Sequence, residues 1–236
     1  MRQDGGVTST STRDLAILDV PPEASAAHAR LLGTEPADRY TAGGIDIAVE
    51  APSWAGASGI LVATDDAAAA ARLIERRGLH ITAVDGGFAG VADGLALGLV
   101  GPTAPGSTPG AEIIGVDHVV LTSPNSDRII ATLCGRLDFD LRLDRVQSWG
   151  VHQLFFRRGD LLVEVVLAEG DDVDPSGPDA LWGIAWRTTD ADATSARLTD
   201  QGVTVSEVRR GAKPGTRVAT IKDPALGIPT IVLEQS

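Results

Sequence analysis

The stretch Val116-Asp117-His118-Val119-Val120-Leu121 is a short apolar strand with a histidine at its mouth. A second strand, Leu161-Leu162-Val163-Glu164-Val165-Val166, carries one carboxylate in an otherwise apolar run. An isolated ionised group in apolar surroundings is very costly, so Glu164 needs a partner. A divalent metal shared with His118 would be one partner, and a direct contact between the carboxylate and the imidazole would be another.

The composition indicates a globular protein with small-molecule rather than polyanionic partners. A chain of 236 residues with 43% hydrophobic residues can bury a packed core in one large domain or two small ones. The net charge of −12 and an aromatic content of 4% argue against nucleic-acid and membrane partners. A single cysteine, Cys134, excludes an internal disulfide and a cysteine-based zinc cluster.

The pattern of apolar residues predicts a cytoplasmic protein. No apolar run approaches the ~20 residues that span a bilayer. Residues 1–12 have no apolar core of the kind that a signal peptide needs, and we expect them to be a disordered lead-in.

Proline and glycine dominate residues 101–110, and nothing there favours packing. We therefore predict an N-terminal domain at 13–101, a linker at 102–112 and a C-terminal domain at 113–236. Each domain repeats a unit of one strand, one helix and three short strands. The second half shows this best, with strands at 114–122, 141–145, 152–157, 161–167, 182–188, 203–208, 217–222 and 229–234, and helices at 125–136 and 191–201. The first half is thinner, with strands at 15–20, 45–49, 60–63 and 81–84, and helices at 24–32 and 67–77.

Internal similarity supports a duplicated architecture. Thr64-Asp65 precedes Ala71-Arg72-Leu73 at the same spacing as Thr189-Asp190 precedes Ala196-Arg197-Leu198, and both pairs follow an apolar strand. Self-similarity of this kind is typical of repeated structural units.

Three motifs, taken in order, define a family resemblance: Asp117-His118-Val119-Val120-Leu121, the run from Phe155 through Gly159 to Glu164, and Lys222-Asp223-Pro224-Ala225-Leu226-Gly227. Together they resemble the vicinal oxygen chelate superfamily, which includes glyoxalase I, methylmalonyl-CoA epimerase, bleomycin-resistance proteins and extradiol dioxygenases. The resemblance is good over 114–236 and weak over 13–100. It implies an α+β fold with two domains, each a pair of βαβββ units forming a curved mixed sheet around a cavity.

Metal-dependent members of that superfamily supply ligands from four strands, and the resemblance carries two of them to this chain. His118 and Glu164 match two ligand positions, whereas Gly183 and Ile231 occupy the other two and offer no donor. Glu234 would reach inward only through a bulge, because a separation of three residues puts it on the opposite strand face from Ile231. The implied cofactor is a divalent ion (Zn, Ni, Co, Mn or Fe) held by His118, Glu164 and Glu234, or no metal at all.

Two further groups of side chains are candidates for ligand binding. Gln153 shares a strand face with Phe155, so both line the cavity if Phe155 points inward. Trp149, Trp182 and Trp186 either fill the core or form an aromatic wall. A basic cluster suits an anionic ligand, such as a carboxylate or a CoA phosphate, or else is a solvated loop pairing with acids. Its members are Arg209, Arg210, Lys213, Arg217 and Lys222.

Three functions remain open at this point. The first is an isomerase, epimerase or lyase in which His118 binds metal and Glu164 is a ligand or base, as the resemblance implies. The second is a metal-free binding protein of the bleomycin-resistance type. The third is a non-catalytic interaction module, as a monomer or homodimer. Extradiol dioxygenase chemistry is disfavoured, because Gly183 stands where relatives have a histidine.

Overall fold

The computed structural model describes residues 13–18, 23–49, 57–110, 112–168, 170 and 172–235. It contains two curved mixed sheets with helices packed against them, which confirms the predicted α+β class. The predicted lead-in, residues 1–12, lies outside the described residues. In the part of the chain that is described, no helix is long and apolar enough to cross a membrane.

The N-terminal sheet has seven strands in the order β2-β3-β1-β4-β7-β6-β5. Its first unit contains β1 (Leu15–Ile17), α1 (Ala24–Leu32), β2 (Arg39–Ala42) and β3 (Ile45–Ala48). Its second contains β4 (Gly59–Ala63), α2 (Ala67–Arg76), β5 (Thr82–Val84), β6 (Gly87–Ala92) and β7 (Leu95–Val100). The sequence did not predict β2, β6 and β7. In β6 and β7 the glycines resemble turn residues, but a Cβ at Gly98 would lie 2.0 Å from the Phe88 carbonyl oxygen, so close strand approach requires glycine there.

The C-terminal sheet has eight strands in the order β13-β14-β15-β12-β8-β11-β10-β9. Its first unit contains β8 (Ile113–Ser123), α3 (Ser126–Ile130) with a π-helical turn (Ala131–Arg136), β9 (Asp140–Val146), β10 (His152–Arg158) and β11 (Leu161–Leu167). Its second contains β12 (Ala180–Thr188), α4 (Ala191–Asp200), β13 (Arg209–Arg210), β14 (Thr216–Ile221) and β15 (Thr230–Gln235). Both units are βαβββ, and β8 and β12 meet at the centre of the sheet.

The strand predicted at 203–208 is reduced to one bridge between Val205 and Ile221. Ser206 explains the interruption, because its hydroxyl oxygen accepts the Thr220 N–H at 2.9 Å in place of a backbone carbonyl. A side chain that takes a backbone donor competes with the regular ladder.

The C-terminal sheet has two distinct faces. The helix face carries Val163, Val165, Phe156 and Leu154, all fully buried in one cluster with Ile129 of α3 and Leu198 of α4. The opposite side, here called the concave face, carries the alternate residues, so β11 alternates strictly between buried and half-buried positions. Glu164 therefore belongs to the concave face, away from the packed helices.

The segment predicted as a free linker is docked on the N-terminal sheet. The Ser107 N–H donates to the Arg39 carbonyl and the Thr41 N–H donates to the Ser107 carbonyl, both at 2.9 Å. The Gly110 N–H also reaches the Leu32 carbonyl at 2.9 Å. The physical reason is that β2 is an edge strand with unpaired backbone groups, which a neighbouring segment satisfies regardless of its side chains.

His28 on α1 is fully buried and should make stability depend on pH. Its Nδ1 lies 2.9 Å from the Ala24 carbonyl oxygen, and its Nε2 has no partner among the described residues. Burial lowers the pKa of His28, although a carbonyl contact and Asp223 oppose the shift. The unfolded chain takes up a proton near pH 6.5 and the folded chain does not, so stability falls with pH below that value.

We expect the His28→Phe variant to lose less stability than the wild type between pH 7.5 and pH 5. The difference is at most about 2 kcal/mol, the limit for a ring that stays neutral in the folded state. Urea unfolding at both pH values measures it. His80→Gln is the control, because His80 is exposed. Parallel pH profiles for the wild type and His28→Phe would contradict the assignment.

Candidate functional site

A β-bulge at Asp117 brings two neighbouring side chains to the same side of β8. Val116 pairs with Trp186 and His118 pairs with Ala185, which leaves Asp117 as an extra residue in the ladder. In a regular strand, adjacent side chains point to opposite faces, whereas a bulge re-aims one of them. Asp117 Oδ2 consequently lies 2.9 Å from His118 Nδ1.

The second ring nitrogen of His118 faces Glu164. Its Nε2 lies 3.3 Å from Glu164 Oε2, and the two side chains are each 14% exposed. β8 and β11 are parallel neighbours, which places the two residues on adjacent strands of the concave face. The structure thus brings together the histidine and carboxylate that the sequence singled out, with carboxylates on both sides of the imidazole ring.

Glu164 is also held by a row of amide side chains. Gln153 donates from Nε2 to Glu164 Oε1, and its own carbonyl accepts from Gln147 Nε2. Arg145 Nη2 then donates to Gln147 Oε1 at 2.6 Å. Phe155 lies directly opposite Glu164 in the β10–β11 pair and is half-buried. Gln153 and Phe155 therefore share the concave face with Glu164.

A seventh side chain completes this arrangement at the other end, where Arg187 Nε approaches Asp117 Oδ1 at 3.3 Å. We call the whole series the polar array. It runs through Arg187, Asp117, His118, Glu164, Gln153, Gln147 and Arg145. An arginine stands at each end, and the two carboxylates lie between them.

The carboxylate of Asp117 is held in its ionised form. The hydrogen bond from His118 lowers the pKa of Asp117 and outweighs burial, which raises it; His118 and Arg187 also lower it through their charge. An ionised carboxylate accepts hydrogen bonds and donates none. Asp117 therefore acts as an acceptor towards both His118 and Arg187 at neutral pH.

The side chains present do not fit a firmly held divalent metal. Within the described residues, no three His, Cys, Asp or Glu side chains converge on one point. Asp117 and Glu164 contact opposite nitrogens of His118, so they do not enclose one ion with it. Gly183 and Ile231, at the other two ligand positions, have no donor atoms. Structural and catalytic zinc sites usually provide three or four protein ligands.

The structure does not bring Glu234 to this site. Its Oε2 accepts the Ala191 N–H at 2.9 Å at the start of α4, and it contacts Arg217 at 3.3 Å. The ladder of β15 runs without a bulge on both sides, so Glu234 stays on the helix face. The register shift that would have turned it inward is absent from these two described strand pairs.

The three candidate tryptophans separate into two environments. Trp186 is fully buried on the helix face, within the core, and so does not line the concave face. Trp182 is 53% exposed in a second bulge of β12, beside Gly183, and Trp149 is 64% exposed in the hairpin turn next to Gln147. Only these two are available to a ligand near the polar array.

The basic cluster is dispersed rather than focused on the site. Arg217 contacts Asp192 at 2.7 Å on the helix face, and Lys213 donates to Gln235 at 3.3 Å. Arg209 and Arg210 form the short outer strand β13 and are exposed. The cationic groups within the polar array are instead Arg145 and Arg187. The sequence analysis overlooked both, because neither lies in a basic run.

Sequence comparison identifies one family model that fits the C-terminal half. The model of the Glyoxalase/Bleomycin resistance protein/Dioxygenase superfamily matches residues 117–220. A search of curated proteins finds no match.

Structural comparison extends the similarity to almost the whole chain. A xylose isomerase-like TIM barrel/4-hydroxyphenylpyruvate dioxygenase fusion protein is similar over 97% of this chain, with a TM-score of 0.65 and 16% identity. This chain covers 50% of that protein, and at this identity the likeness shows the fold alone. Methylmalonyl-CoA epimerase from Mycobacterium tuberculosis has 20% identity and a TM-score of 0.44, covering 53% of this chain and 91% of its own. The Streptomyces coelicolor epimerase, in complex with 2-nitronate-propionyl-CoA, has 22% identity and a TM-score of 0.41, covering 51% and 96%.

Proposed function

We propose, on the premise that residues 117–220 belong to the glyoxalase/bleomycin resistance protein/dioxygenase superfamily, that this protein binds a small molecule. The ligand lies on the concave face of the C-terminal sheet, over His118 and Glu164. Binding does not require a metal held by protein side chains. In this proposal residues 113–236 form the binding domain, and the glyoxalase-like domain at 13–101 has a structural role.

The polar array is the observation that carries the proposal. Seven hydrogen-bonding side chains on one sheet are linked end to end, next to the half-buried apolar groups of Phe155, Leu162 and Val166. A small-molecule site typically combines an apolar lining with a few placed polar groups. The concave face of this sheet has both components.

The charges of the array favour an anionic or strongly polar ligand. Arg145 and Arg187 are exposed at its two ends, and guanidinium groups bind carboxylate and phosphate oxygens through two parallel hydrogen bonds. Trp149 and Trp182 expose large aromatic surfaces that would cover an apolar part of the same ligand. The ligand class is therefore a small carboxylate or phosphate compound with an apolar body.

The His118–Glu164 pair also supports a proton-transfer role at the same position. A carboxylate and an imidazole 3.3 Å apart can accept a proton from a bound ligand and return it. This is the chemistry that an isomerase or epimerase needs, and we derive no step through a metal because the side chains do not fit one.

Tryptophan fluorescence tests the proposal with a defined panel of probes: simple carboxylates, 2-oxo acids, aromatic carboxylates and CoA thioesters. We expect at least one class to quench emission in chelator-treated buffer. The Glu164→Gln variant should bind that probe at least about tenfold more weakly or more tightly, because a charge facing the ligand changes. The Trp182→Phe variant should lose much of the quenching.

Glu234→Gln is the matched control, since it alters the same functional group on the opposite face of the sheet. It should leave binding unchanged. The proposal fails if no probe binds, if Glu164→Gln binds like the wild type, or if binding appears only after ZnCl2 is added. The last result would favour a metal-assisted function.

A further inference from the structure

Asp117 is the member of the polar array whose position depends most on irregular backbone. The bulge at this residue turns its carboxylate to the side of His118, and the two oxygens then have separate partners. Oδ2 lies 2.9 Å from His118 Nδ1, and Oδ1 lies 3.3 Å from Arg187 Nε. The carboxylate is thus anchored on one side while it contacts the imidazole on the other.

We propose that Asp117 is a positioning residue that keeps a proton on His118 Nδ1 and aims the Nε2 lone pair at Glu164. An ionised carboxylate only accepts hydrogen bonds, so the ring nitrogen that faces it must carry the hydrogen. The neutral imidazole has one N–H, and Nε2 is then an acceptor. This inference rests on the proposed function for its role in ligand binding, but its geometry does not involve a ligand.

The consequence for recognition concerns the space between His118 and Glu164. Nε2 and Glu164 Oε2 lie 3.3 Å apart and both present acceptor lone pairs. Two acceptors facing each other need a hydrogen between them to avoid repulsion. A ligand that brings a hydrogen, as a hydroxyl, an ammonium group or an acidic carbon, meets this requirement, and an aprotic ligand does not.

Arg187 makes the Asp117→Asn variant an unusually direct test. Its N–H will hold the carbonyl oxygen of the new amide in the place of Oδ1, so the amide NH2 faces His118 Nδ1. An N–H donor opposite Nδ1 requires an acceptor there, which moves the ring proton to Nε2. The Nε2–H can then donate to Glu164, so the tautomer reverses while size and shape hardly change.

Nuclear magnetic resonance of 15N-labelled protein reads the tautomer through two-bond correlations between ring hydrogens and ring nitrogens. The four histidines give a small spectrum, and a His118→Gln sample assigns the signal. In metal-free wild-type protein we expect Nδ1 of His118 to be protonated. In Asp117→Asn we expect Nδ1 of His118 to be unprotonated and Nε2 protonated.

Asp144→Asn is the matched control, because Asp144 Oδ1 lies 2.7 Å from His152 Nε2 on the same sheet. It should leave the His118 signals unchanged. The proposal is overturned if wild-type His118 has an unprotonated Nδ1, or if Asp117→Asn leaves Nδ1 protonated. The wild-type spectrum decides the matter even if a variant does not fold. Absence of ligand binding with the expected tautomer would reject the proposed function and leave this inference standing.

Discussion

Replacing Trp186 with alanine should lower the free energy of unfolding by about 3–5 kcal/mol. The side chain is fully buried on the helix face of β12 and belongs to the core that both sheets share. Its removal loses the transfer free energy of a large ring and leaves a cavity that its neighbours fill only partly. Urea unfolding followed by far-ultraviolet circular dichroism measures the change.

Trp182→Ala is the matched control, since the same residue type lies four positions earlier on the same strand. Trp182 is 53% exposed, so its replacement should change stability by no more than about 0.5 kcal/mol. A small loss for Trp186→Ala, or equal losses for the two variants, would contradict the assignment of their faces.

Replacing Arg158 with alanine should destabilise the fold by about 3 kcal/mol near pH 8. Arg158 Nη1 lies 2.7 Å from Asp14 Oδ1, and Nη2 donates to the Ala63 carbonyl at 2.9 Å, joining the two sheets. Asp14 is only 7% exposed. Burial raises the pKa of Asp14 even though the Ala63 N–H and Arg158 lower it, so loss of the guanidinium leaves a costly buried charge.

The pH dependence and a neighbouring arginine distinguish this effect from simple loss of packing. At pH 5 the destabilisation should be smaller, because Asp14 with its raised pKa can take up a proton and become neutral. Arg157→Ala is the control, since Arg157 is exposed and donates to the Gly159 carbonyl, and its loss should be within about 0.5 kcal/mol. A loss for Arg158→Ala that does not change with pH would refute the role of Asp14.

Much of the fold follows from local pattern. Alternating burial in β11 and the repeated strand–helix–strand order were visible in the sequence, and β8, β10, β11 and β12 lie within one or two residues of their predicted bounds. The glycine-containing strands β6 and β7 were not visible. Their pairing depends on close approach of distant backbone, which propensity does not describe.

The candidate site shows the same division. His118, Glu164, Gln153 and Phe155 were each singled out by residue type and by strand alternation, and the structure brings them together. Gln147 and Arg145 escaped notice because their roles arise from side-chain contacts across the β9–β10 hairpin.

The amino-acid sequence alone determined that this chain repeats βαβββ units and which strands carry an imidazole and a carboxylate, because both depend on residue order. Only the tertiary structure decided which side chains share a face. Bulges at Asp117 and Trp182 each add one residue to a strand and reverse the alternation beyond it. That shift puts Asp117 beside His118 and separates Trp182 from Trp186, and it arises from pairing with distant strands.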